Sequence, residues 1–154
     1  VREDIEELAA MSAQVIGDLR QFADGFRRGG ARRAGALIDA PLRRQLLRAK
    51  QWYDVDIRLD LHGAAGMGDR LSAAVLQLAH EGISNICKHT EAHHASLCIC
   101  CDQTGVRLDI ENESAQPASH FVPRSITARA TALGGSAAVL HRAGATVVHV
   151  EIPV

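Results

Sequence analysis

Aromatic side chains are almost missing: Phe, Trp and Tyr together make up 3% of the 154 residues. A core built on ring packing is therefore excluded, and Leu, Ile, Val and Ala must fill it. An excess of either charge is also lacking. Seventeen Lys and Arg against eighteen Asp and Glu leave a net charge of -1, so nothing argues for a direct nucleic-acid partner or an acidic membrane surface. No apolar run approaches the ~20 residues that cross a bilayer, and no signal peptide opens the chain. Cysteine is limited to Cys87, Cys98, Cys100 and Cys101. Three of these crowd into one short stretch, which does not suit a secreted disulfide framework. On a strand, Cys98 and Cys100 share one face and Cys101 takes the other. Reduced, half-buried thiols in a cytoplasmic protein are the expected state.

With 47% hydrophobic and 23% charged residues, the chain can bury one compact domain and carry a small extra element. The clearest periodic signal lies in residues 1–28. Ile5, Leu8, Ser12, Val15, Leu19, Phe22 and Phe26 follow a three-four spacing, the seam of a coiled coil or four-helix bundle. The remaining faces are charged, and a stripe so narrow favours packing between chains, hence a homodimer through residues 1–28. The pattern is already under way at Val1, which points to a piece of a longer protein, possessing upstream regions that sense a signal. Gly29 and Gly30 stop this helix, and residues 29–38, with Arg32 and Arg33, form a solvated linker.

The domain proper is expected over residues 39–154. Asp39 caps a helix with Pro41 just inside its start; Leu42, Leu46, Leu47 and Ala49 point inward, and the helix ends near Trp52. Val55, Ile57, Leu59 and Leu61 alternate with Asp56, Arg58 and Asp60, which predicts a half-exposed antiparallel strand. Residues 63–68 form a loop. A long helix follows over residues 70–89, with Leu71, Val75, Leu78, Ile83 and Ile86 on its apolar side. Residues 95–101 and 105–111 read as a hairpin, 112–123 as irregular, and 124–133 as a short helix ended by Gly134 and Gly135. A second hairpin joins 137–141 to 146–152. The fold class is α/β: a two-layer sandwich, one mixed sheet with helices on one face, preceded by the long coiled-coil-type helix.

Chemistry concentrates in the long helix. Glu81, Asn85, Lys88 and His89 stand at i, i+4, i+7 and i+8, so a carboxylate, an amide, an ammonium and an imidazole share one stripe. Solvent faces usually repeat Glu and Lys, and Asn is a poor choice inside a helix. A neutral oxygen from Asn85 suits a hard divalent ion, Lys88 or His89 suits phosphate, and Glu81 suits a general base. A plain water-facing stripe is the competing explanation.

The run Glu81-x-x-x-Asn85-x-x-Lys88-His89 resembles the N-box of the histidine kinase, gyrase and Hsp90-type ATPases. It is nearest to the sensor kinases that pair with helix-turn-helix response regulators, which show a Q-E-A-L-T-N-A-x-R-H-A-like run. Ala132-Leu133-Gly134-Gly135 resembles the end of their second glycine box, and Gly144-Ala145-Thr146 with Val148, Val150, Ile152 and Pro153 resembles their C-terminal strand. Residues 1–28 resemble the second helix of their dimerisation domain. The resemblance implies a cytoplasmic ATP-binding portion of a two-component sensor, with ATP and Mg2+ as cofactors and γ-phosphoryl transfer to a histidine. It implies Asn85 on magnesium, Glu81 as or beside the general base, Lys88 and His89 on phosphate, and Thr146 near adenine. A response regulator would be the partner.

Departures from that pattern are equally specific. Where the family has D-x-G-x-G, this chain has Asn112-Glu113-Ser114-Ala115-Gln116. Asn112 can still recognise adenine, since an amide both donates and accepts, but side chains now stand where backbone should approach ligand. The second glycine box is replaced by residues 120–125, in which Pro123 lacks an amide donor and Arg124 can substitute through its side chain. The phosphoacceptor histidine lies on a preceding helix in the family and has no match among the eight histidines here. A degenerate, non-catalytic dimeric regulator or scaffold is therefore the second reading. A third is a zinc or thiol sensor using residues 98–101. His89, His93 and His94 lie near Cys98 and Cys100 in sequence, but residues 90–94 are expected to leave the helix, and a polar turn is the preferred reading.

Overall fold

A computed structural model of the chain describes residues 12–13, 16–17, 20, 34–114 and 123–154. The chain divides into two compact units, Val1–Arg32 and Arg33–Val154. In the first unit, Ser12, Ala13, Ile16, Gly17 and Arg20 are helical; the rest of the expected seam lies outside the described residues, as do residues 29–33 of the linker. The second unit runs α1 (Ala34–Tyr53), β1 (Asp56–His62), a 3-10 turn (Ala64–Gly66), α2 (Asp69–His89), β2 (His94–Cys101), β3 (Gly105–Glu113), α3 (Arg124–Ala132), β4 (Ser136–Arg142) and β5 (Ala145–Pro153). The five strands form one mixed sheet in the order β1-β2-β3-β5-β4. The helices pack on one side of it, which is the expected two-layer α/β sandwich.

Strand register sorts the side chains into two faces. Ile57, Leu97, Ile99, Leu108, Ile110 and Val150 are all buried, and their pairings place them on the helix-bearing face. The opposite face carries Arg58, Asp60, Cys98, Cys100, Arg107, Asp109, His149 and Glu151. Here His149 Nδ1 donates a short hydrogen bond to the Asp109 carboxylate, while its Nε2 lies 3.3 Å from Glu151. The Asp109 bond raises the His149 pKa above its ordinary value, with Glu151 adding to it against the opposing effect of burial. All four cysteines are free thiols of intermediate burial. Desolvation pushes Cys87 and Cys98 each up to about 11, and the neighbouring Cys100, Asp109 and Asp60 add to the rise at Cys98. Both are therefore protonated and poor nucleophiles at neutral pH.

α2 is the spine of this layer. Asp69 favours its N-terminus and Lys88 and His89 its C-terminus, and the Thr90 hydroxyl donates to the Ile86 carbonyl at 2.8 Å to end it. Val75, Leu76, Leu78, Ala79, Ile83 and Ile86 are buried, whereas Leu71 is only half-buried. Gly82 lets the helix settle onto β3: a Cβ there would stand 1.9 Å from Ile110 Cδ1. At the far end, Gly134 (φ 78°) ends α3, with its N–H on Thr131 and the Gly135 N–H on Ala130, each at 2.9 Å. This is the paired-bond stop that favours glycine. A Cβ on Gly135 would stand 2.0 Å from the Glu151 carbonyl oxygen, so the second glycine serves close passage over β5.

Three expectations need correction. β1 is parallel to β2, with Asp56 opposite His94 and His62 opposite Cys100, and not antiparallel. The reason is the connection: the long α2 carries the chain back across the sheet, and such a crossover delivers a parallel neighbour. α1 also begins at Ala34, ahead of Asp39 and Pro41. Ile38 is completely buried, and burying it draws the preceding turn into the helix. Asp39 then serves as an ion-pair partner, accepting from Arg43 Nε at 2.9 Å one turn on. On the same helix Leu47 is 70% exposed and does not face the core, which Ile38, Leu42 and Ala49 supply.

Gly82→Ala is expected to destabilise the domain by about 1–3 kcal/mol through overpacking, measured by urea unfolding, and adding Ile110→Val should recover part of that loss. Because its folded pKa is raised, His149 contributes stability in full below its unfolded pKa of about 6.5. That contribution is lost as pH rises through the folded value. Unfolding free energies measured from mildly acidic to alkaline pH should decline across this window in the native chain and flatten in His149→Gln.

Candidate functional site

The stripe on α2 is only partly open to water. Glu81 and Asn85 are half-buried, while Lys88 and His89 are exposed at the helix end. Burial of Gly82, Ile83 and Ile86 around them holds the two inner side chains in place. The Gln45 amide on α1 adds a tether by donating to the His80 carbonyl oxygen at 3.1 Å.

Glu81 has a neighbour that sequence reasoning missed. Arg129 on α3 approaches it, with Nε 3.5 Å from Oε2, and also donates from Nη1 to Gln77 Oε1 at 2.9 Å. The contact to Glu81 is an ion-pair separation without hydrogen-bond geometry. Oε2 is buried and has no hydrogen-bond partner among the described residues. A buried carboxylate oxygen so placed is costly unless something accepts its charge. No local pattern announces this pair, because its members are far apart in sequence and meet only through the packing of α3 on α2.

Asn112 and Thr146 do meet. They are register partners on β3 and β5, in a row that continues to Ala95 on β2 and His141 on β4. This row lies on the helix-bearing face. Asn112 Nδ2 donates to the Glu113 carbonyl oxygen at 2.9 Å, and Thr146 Oγ1 lies 3.5 Å from His141 Nδ1. A short connection leads from the C-terminus of α2 into the start of β2. The end of α2 bearing Asn85, Lys88 and His89 therefore lies toward the same end of the sheet as the Asn112–Thr146 row.

Arg124 is the first residue of α3 and is exposed; Pro123 before it is buried and occupies the N-cap with no side-chain cap bond. Residues 115–122 lie outside the described residues, so the segment replacing the glycine boxes enters only through its flanks. The Ala132-Leu133-Gly134-Gly135 run has a visible structural task, ending α3 and crossing β5. A groove of about 380 Å³ lies beside that run, lined by residues such as Thr104, Arg107, Ser136 and Glu151. It contains none of the α2 stripe, Asn112, Arg124 or Thr146. His93 is not gathered with Cys98 and Cys100; its Nδ1 lies 3.3 Å from the Asp54 carbonyl oxygen at the end of α1.

Solved structures share this architecture. A histidine kinase domain from an Erythrobacter litoralis blue-light activated histidine kinase superposes with a TM-score of 0.65 at 13% identity, covering 93% of this chain and 74% of that one. The Acinetobacter baumannii histidine kinase AdeS gives 0.66 at 13% identity, covering 98% and 82%. The ATP-binding domain of PrrB from Mycobacterium tuberculosis gives 0.55 at 20% identity, covering 73% and 90%. No protein-family model and no curated sequence relative matches the chain. The chain thus has the fold of histidine kinase ATP-binding domains, as its N-box resemblance implied.

A carboxylate held this way adds little to stability. Glu81→Gln is expected to leave the urea midpoint unchanged or raise it, with a change within about 1 kcal/mol. A loss well beyond that would assign Glu81 to the framework of the domain.

Proposed function

We propose that this chain, which carries the histidine kinase ATP-binding fold, is the nucleotide-binding portion of a two-component sensor histidine kinase. The observation that carries the reading is the half-buried Glu81–Asn85 stripe on α2, lying toward the end of the sheet where Asn112 and Thr146 form one cross-strand pair. The residues fit such a ligand. Asn112 offers an amide oxygen to an adenine amino group, and Thr146 is its direct neighbour. Asn85 would hold Mg2+ through its amide oxygen, and Lys88, His89 and Arg124, all exposed, would meet phosphate. Bound ATP would supply the γ-phosphoryl group for a histidine on a preceding helix. The chain's own contribution is to bind and orient, with Glu81 as or beside the base. A homodimer through residues 1–28, a cytoplasmic location and a response regulator with helix-turn-helix output complete the proposal. No helix among the described residues is long and apolar enough to cross a membrane.

A second reading, a non-catalytic dimeric regulator of the same fold, is favoured by the Arg129 approach to Glu81 and by Pro123 at the head of α3. An arginine 3.5 Å from Glu81 stands where the carboxylate would approach a reacting group, and the proline removes an amide from the turn that would face phosphate.

Calorimetric titration of magnesium-ATP into the chain, with ADP as control, separates these. The kinase reading expects binding in the micromolar to sub-millimolar range, lost in Asn85→Ala and weakened about tenfold or more in Asn112→Ala. No binding in the native chain, or binding indifferent to Asn85→Ala, would move the assignment to the regulator.

A further inference from the structure

The sheet face opposite α1, α2 and α3 carries a cluster that the nucleotide reading does not use. His62 is the last residue of β1 and stands opposite Cys100 on β2. Cys98, two residues earlier on β2, presents its thiol on the same face, and the two sulfurs are 3.7 Å apart. One ring nitrogen of His62 and both sulfurs all lie within 4.8 Å of one another. His62 is exposed and the cysteines are half-buried, so the cluster is reachable from solvent.

We infer that His62, Cys98 and Cys100 form a binding site for a thiophilic metal ion of the Zn2+ or Cu+ class. Two thiolates bound at ~2.3 Å to a tetrahedral ion stand about 3.8 Å apart, which is the spacing already present. A disulfide fits less well. Alternate residues of a strand have Cα atoms about 6.6–6.8 Å apart, at the upper limit for that bond, whose sulfurs must close to ~2.05 Å. The donor set of one imidazole and two sulfurs selects against Mg2+ and Ca2+, which prefer oxygen. Asp60 and Asp109 are the register partners of Cys98 on either side, and Arg107 is that of Cys100. The two carboxylates favour a cation near Cys98, and the guanidinium partly offsets them. Binding releases the two thiol protons to solvent. Water takes the fourth position, so the ion is exchangeable.

Such an ion would pin the end of β1 to β2 immediately before the Ala64–Gly66 turn that leads into α2. The metal site stands independently of the nucleotide reading, because none of its ligands belongs to that stripe.

The test is titration of the reduced, metal-free chain with Co2+ under anaerobic conditions, followed by absorption spectroscopy. One equivalent should produce a thiolate-to-cobalt charge-transfer band and the intense visible bands of tetrahedral Co2+, both displaced by Zn2+. Cys98→Ser and Cys100→Ser should each abolish the charge-transfer band or shift it. His62→Gln, at an exposed position that leaves folding intact, should weaken Co2+ at least about tenfold. Cys101→Ser, on the opposite face, should change nothing. Absence of a thiolate band in the native chain would overturn the site. So would a band that survives both cysteine substitutions, or an affinity unaltered by His62→Gln.

Discussion

The closeness of α2 to β3 at Gly82 is the constraint on which the rest of the domain depends. With no side chain at that position, the helix axis settles against Ile110, and the apolar residues on either side of the contact are buried between the sheet and α1. A helix buried on two sides leaves a narrow strip for polar groups. Glu81 and Asn85 occupy that strip at a depth set by the helix, not by their own flexible stems. The same contact determines how the chain leaves α2 and enters β2, and through the ladder it sets where Asn112 and Thr146 fall. Packing therefore places the polar groups, and the polar groups contribute little to packing.

Much of this was legible from periodicity. The 3.6-residue repeat of α2 and the alternation in the hairpins of β2–β3 and β4–β5 gave each element to within a few residues, because local patterns encode which face is buried. The features that escaped are those set by partners distant in the chain. The burial of Ile38 carried α1 past a sequence that reads as a capped start, and an exposed Leu47 could not be told from a buried one by type. The direction of β1 depended on its connection, which alternation does not record.

The candidate site divides in the same manner. Glu81, Asn85, Lys88 and His89 lie on one helix, so their spacing revealed their common stripe. Asn112 and Thr146 were named separately, and the ladder joins them. Arg129 was invisible, because an arginine on a short helix resembles any surface arginine until α3 is packed against α2. His62 was equally hidden: it became a neighbour of Cys98 and Cys100 only once β1 paired in parallel with β2.

That parallel pairing also leaves β1 at one margin of the sheet, with β4 at the other. Each margin is a strand of seven residues, and their sequences place Asp56, Arg58 and Asp60 on the first and His141 and Arg142 on the second. Short, charged margins disfavour the addition of a further strand from a neighbouring molecule. The sheet can thus carry a polar face and still resist growing sideways into an aggregate.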